Sequence, residues 1–92
     1  MAAASDSAHT LMLKRKGPAV NTVQLKRQFA RLLRQHREKR QWSLREMSDR
    51  SGISLTRLWN YEQGNHSPNL PALAKLSAAF DISLSKFVKP LE

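Results

Sequence analysis

A chain of 92 residues with a formal net charge of +9 has room for one small domain with a modest core, and its field attracts polyanions. The absence of cysteine excludes a disulfide framework and a thiolate metal site, and no apolar run approaches the ~20 residues that a membrane helix needs. With no phosphate-cradling glycine loop, no paired carboxylates and no histidine pair at metal spacing, neither an enzyme nor a bound metal or cofactor is expected.

The charge is unevenly spread. From Lys14 to Arg57, thirteen Lys and Arg face only Glu38, Glu46 and Asp49. Beyond Arg57, three lysines are balanced by Glu62, Asp81 and Glu92. The first part is therefore the polyanion face, and the neutral C-terminal third serves another purpose.

Residues 1–20 are alanine- and serine-rich, then basic, and carry too little apolar mass to order themselves, which predicts a flexible arm. Its Lys14, Arg15 and Lys16 are either idle or reach phosphates or a minor groove. Asp6 and a basic cluster that follows Leu11, Met12 and Leu13 do not make the order of a secretory signal, so a cytoplasmic, nucleoid-associated location is expected.

A domain over residues 21–90 follows. From 22 to about 40, Leu25, Phe29, Leu32 and Leu33 fall at helical spacing on one side, with Lys26, Arg27, Arg31 and Arg34 around the rest. His36 shares the apolar stripe and reads as a core or boundary residue. Ser43 and Glu46 form the spacing of a capping box, which starts a second helix near Leu44 that ends by Ser51. Ser54 caps a third, running through Leu58, Tyr61 and Glu62 until Gly64 stops it.

The stretch LREMSDRSGISLTRLWNYEQ, residues 44–63, thus has the form of a helix-turn-helix. Two short helices crossing steeply need a small side chain where their backbones approach, here Ser48, and Gly52 stands where a left-handed backbone is favoured. Leu58 and Tyr61 point inward, leaving Leu55, Thr56, Arg57, Trp59 and Asn60 on or beside the outer side. Asn69 and Pro71 begin a fourth helix with Leu70, Leu73, Ala74, Ser77 and Phe80 as its expected buried stripe. A fifth, from about 83 to 88, returns Leu84 and Phe87 to the core.

The segments SLREMSDRSGIS, LWNYEQG and SPNLPALAKLSAAFDISLSKF, in that order, resemble the lambda-repressor-like family of the Cro and Xre type over roughly residues 25–88. The resemblance implies an all-α, compact five-helix domain whose second and third helices form a DNA-reading unit. It also implies an ion pair between Arg37 and Glu62 that ties the reading helix to the scaffold. Many family members grip a phosphate with a glutamine at the first turn of the second helix, where this chain has Leu44. Arg45 or the amides of that helix end would take the phosphate instead. Leucine at this place is similar to regulators in which the domain is fused to a cupin ligand-binding domain.

With the third helix in a major groove, Arg57 suits guanine O6 and N7, Asn60 suits adenine N6 and N7, and Leu55 or the Thr56 methyl suits a thymine methyl. Arg34, Ser43, Arg45, Arg50, Ser54, Trp59, Gln63, Asn65 and His66 are the candidates for phosphate contacts. Trp59 either packs on the sugar-phosphate backbone or covers the scaffold. One reading helix spans few base pairs, so a homodimer on half-sites about 34 Å apart is expected. Ile82, Leu84, Phe87, Val88 and Leu91 of the neutral third are its candidate interface or else simply core. The leading expectation is a transcriptional regulator, most simply a repressor on a palindromic operator. The alternatives are an antitoxin that binds a toxin and its own promoter, and an adaptor that keeps the fold but binds protein or polyanion without sequence preference.

Overall fold

The computed structural model describes residues 21–91, so the arm assigned to residues 1–20 lies outside it. The elements are α1 (Thr22–Lys39), α2 (Leu44–Ser51), α3 (Leu55–Glu62), α4 (Leu70–Phe80), α5 (Leu84–Val88) and a closing 3-10 turn, Lys89–Leu91. No strand occurs among the described residues, and the five-helix, all-α expectation holds. No helix among them is long and apolar enough to cross a membrane.

Helices of eight or fewer residues are unstable alone, because nucleation fixes several dihedrals for one hydrogen bond. Here each helix has a dedicated start. Asn21, Ser43, Ser54, Asn69 and Ser83 are all extended N-cap residues whose side-chain oxygens accept from the amide three positions on. Each such cap contributes about 0.5–2 kcal/mol. At Ser43 the box is complete, since its own amide also donates to Glu46 Oε1 at 3.0 Å. Gly52 ends α2 with φ at 76°, and nothing stands within 4 Å of where a Cβ would be, so conformation and not crowding calls for glycine. Gln41 and Asp81 adopt the same left-handed region at φ 59° and 60°, without a glycine to signal it.

The core joins Phe29, Leu32 and Leu33 of α1, Met47 of α2, Ile53 of the turn, Leu58 and Tyr61 of α3, Ala72, Leu76 and Phe80 of α4, and Phe87 of α5. Two expected stripes need correction. Leu25 is exposed, so the apolar side of α1 enters the core only from Phe29 onward. On α4, Leu70 is 66% exposed and Ala74 is exposed, whereas Ala72, Leu76, Ser77 and Phe80 are buried and Leu73 is half-buried. This helix is apolar nearly all round, so several faces satisfy helical spacing and only its neighbours select one. In the C-terminal third, Phe87 is fully buried and Ile82, Val88 and Leu91 pack against the core, which removes Phe87 from any interface. Leu84 is half-buried outside the core cluster, against the expectation that it returns there.

Polar side chains fix how the helices meet. Arg37 of α1 donates from Nε to Glu62 Oε2 at 2.7 Å and from Nη2 to Oε1 at 3.0 Å, and from Nη1 to the Trp42 carbonyl at 2.9 Å. Arg34 adds a bond from Nη2 to the Glu62 carbonyl at 3.2 Å. Glu62 itself is buried, so a planar guanidinium replaces the water its carboxylate has lost. At the same C-terminal end of α1, its C-cap Arg40 donates to the carbonyls of His36 at 2.9 Å and Phe80 at 2.8 Å, acceptors in the last turns of α1 and α4. Its guanidinium lies 4.7 Å over the Phe80 ring. His36 and Trp42 stack on Phe80 with centroids 4.9 and 5.6 Å away. Burial, then the neighbouring charges of Arg40 and Lys39, hold the His36 imidazole below its ordinary pKa of 6.5.

Two outcomes follow for chemical denaturation. Arg37→Met leaves a buried carboxylate without its main partner and lowers unfolding free energy by about 3 kcal/mol or more, while the double variant Arg37→Met, Glu62→Leu loses less than the single one. His36 binds its proton more weakly folded than unfolded. Stability is therefore full above about pH 6.5 and declines as pH falls below it toward the lower folded-state value. His36→Gln is less stable overall but loses this decline as pH falls below about 6.5.

Candidate nucleic-acid interface

Gly52, Ile53 and Ser54 form the three-residue turn between α2 and α3. Ser48 does more than allow close approach: its hydroxyl donates to the Ile53 carbonyl at 2.6 Å, while the Ile53 amide donates to Ser51 Oγ at 3.2 Å. Both backbone groups of the buried Ile53 are thus satisfied by side chains of α2, and the angle between the two helices is locked from within. Behind α3, Leu58 and Tyr61 are buried and Glu62 is clamped by Arg37, with Tyr61 edge-on to Phe29 at 5.9 Å.

That anchoring leaves the outer side of α3 open. Leu55, Thr56, Arg57 and Trp59 are exposed, and Asn60 is half-buried. Asn60 does not hang free: Nδ2 donates to the Thr56 carbonyl at 3.1 Å and Oδ1 accepts from Asn65 Nδ2 at 3.2 Å. One amide hydrogen and one lone pair are left, the set a bidentate adenine contact needs, and the two bonds hold them in one orientation. Arg57 borders a polar recess of about 350 Å³ shared with Lys26, Tyr61, His66, Ser67 and Asn69. Spacing alone does not put Lys26 there, because its place depends on how α1 crosses α3.

The phosphate candidates divide by how committed they already are. Arg34 is engaged with Glu62, and Arg50 lies 4.6 Å over the Trp42 ring. The Ser43 and Ser54 oxygens accept cap bonds, but each hydroxyl hydrogen stays free to donate. Arg45, Gln63, Asn65 and His66 are exposed, as is Trp59, which leaves 49% of its surface open and so only partly covers the scaffold. At the start of α2, the Glu46 carboxylate already occupies part of the helix-end field, which weakens the amides there as an anion site relative to Arg45. Trp42, whose ring joins α4 to both Arg40 and Arg50, was not singled out by any spacing rule.

A family model for a helix-turn-helix domain matches residues 28–85. The chain is 30% identical over 66 residues to the HTH-type transcriptional regulator SutR of Escherichia coli strain K12, covering 72% of this chain and 37% of that protein. It also resembles, at 30% identity and a TM-score of 0.69, the crystal structure of an HTH_3 family transcriptional regulator from Vibrio cholerae, over 75% of this chain and 39% of that one. The chain therefore spans well under half the length of each relative. With a three-residue turn, an internally pinned third helix and this match, the chain belongs to the helix-turn-helix domain family, in its Xre-type arrangement.

Proposed function

We propose that this domain binds double-stranded DNA in a sequence-specific way and regulates transcription. In its simplest form it is a cytoplasmic repressor that occupies a palindromic operator as a dimer. The observation that carries the reading is the outer side of α3, where Arg57 and the oriented Asn60 amide are open to a base edge while Leu58, Tyr61 and Glu62 anchor the helix from behind. The excess of Lys and Arg over residues 14–57 supplies the salt-dependent attraction to phosphates. The relatives are named as transcriptional regulators, which supports the same reading.

In this reading Arg57 selects guanine, Asn60 selects adenine, and Leu55 with Thr56 lies along the same edge. Arg45, Ser43, Ser54, Gln63, Asn65 and His66 position the domain on phosphates. Arg34 and Arg50 contribute there only as far as their intramolecular contacts allow, and Trp59 only through its exposed surface. Two copies would pair through the neutral C-terminal third, offering Leu84 and the half-buried Ile82, Val88 and Leu91.

Selection of bound sequences from a random duplex pool tests this directly. The expected product is a palindrome whose half-sites lie about 34 Å apart, and no enrichment sinks the proposal. Arg57→Ala then loses about 1–3 kcal/mol of discrimination at one guanine position. Arg45→Ala weakens binding to all sequences alike and lowers the slope of log affinity against log salt by about 1, as read by fluorescence anisotropy.

A further inference from the structure

A cleft of about 450 Å³ opens between the start of α2 and the outer side of α3, lined by Leu44, Arg45, Leu55, Thr56 and Trp59. Three of its five walls are large apolar side chains, and Arg45 alone is charged. Leu44 packs against the core from behind, which fixes the floor, while Leu55 and Trp59 remain 40% and 49% exposed. Among the described residues this apolar surface is left uncovered beside Thr56 and Arg57, on the face that the proposed function turns toward DNA.

Its surroundings restrict what can fill it. Arg45 stands in the wall and Arg57 is next along α3, in the part of the chain where cations far outnumber acids. A second copy seated here face to face would bring Arg45 against Arg45. The fitting occupant is the apolar part of a polyanion. In a major groove the base edges present hydrogen-bonding atoms and flat C–H positions, and the one apolar group that projects from them is the 5-methyl of thymine. We infer that the cleft formed by Leu44, Leu55 and Trp59 receives a thymine 5-methyl group, so that one T·A pair in each half-site is chosen by burial of a methyl. Leu44 then acts as the wall of a base-reading pocket, and the phosphate contact at this helix end passes to Arg45.

This inference rests on the DNA-binding reading, and uracil separates the two. Deoxyuridine keeps every hydrogen-bonding atom of thymidine and lacks only the methyl. Each thymine of the duplex recovered by selection is replaced singly by deoxyuridine, and binding of the full chain is measured by fluorescence anisotropy. One position per half-site loses about fourfold in affinity, the value of a buried methyl. At that position Trp59→Ala, and separately Leu55→Ala, bind thymine and uracil equally, while the guanine preference assigned to Arg57 persists. Circular dichroism checks that each variant is folded; both residues are partly exposed, so either variant serves should the other unfold. Equal affinity for thymine and uracil at every position, or methyl sensitivity that survives in a folded cleft variant, overturns the inference and leaves sequence recognition standing. No preference for the selected duplex over scrambled DNA overturns both.

Discussion

The buried carboxylate of Glu62 is the constraint on which the outer half of the molecule depends. A reading helix must show one side to a ligand, so it can be held only from the other. On α3 that other side is narrow: Leu58, Tyr61 and Glu62 are its buried residues. Two apolar anchors three positions apart restrain tilt well and rotation poorly. The fork of Arg37, with bonds of 2.7 and 3.0 Å to the two carboxylate oxygens, restrains rotation because both must be met in one plane. The pair adds little net stability, since removing two charges from water offsets most of their attraction. What it fixes is the direction in which Arg57 and Asn60 point.

A second cluster does for α4 what Arg37 does for α3. His36, Phe80 and Trp42 stack in sequence, Arg50 caps the outer Trp42 face, and Arg40 lies over Phe80 while binding carbonyls of both α1 and α4. Arg40 and Arg50 keep their charge, but these contacts fix where each of them stands. Of the arginines at the reading unit, Arg45 and Arg57 make no ion pair or aromatic contact among the described residues, and Arg34 and Arg50 do.

In the proposed reading, specificity and affinity fall to different surfaces. Arg57, Asn60 and the Leu44–Leu55–Trp59 cleft lie on or beside α3, where displacement by a fraction of an ångström changes a hydrogen bond. Gln63, Asn65 and His66 follow α3 in the chain, at its end and in the next loop, where a phosphate contact tolerates more slack. Asn65 links the two through its bond to Asn60, so a phosphate bound by the loop would bear on the orientation of the base-reading amide.

The residues by themselves determined where helices begin and end, because capping is local: Ser43 with Glu46, Ser54, Asn69 and the left-handed Gly52 each act within one turn of chain. They also carried the helix-turn-helix outline and the inward positions Leu58 and Tyr61, since a short, mostly polar helix has only one apolar side to bury. Tertiary structure alone decided which face of the apolar α4 goes inside, because Leu70 and Leu76 are indistinguishable by spacing and differ only in what stands opposite them. It likewise decided which arginines are spent on Trp42 or Glu62, and that Leu44 and Trp59 meet across a cleft. Those outcomes depend on distances between residues far apart in sequence, which periodicity cannot encode.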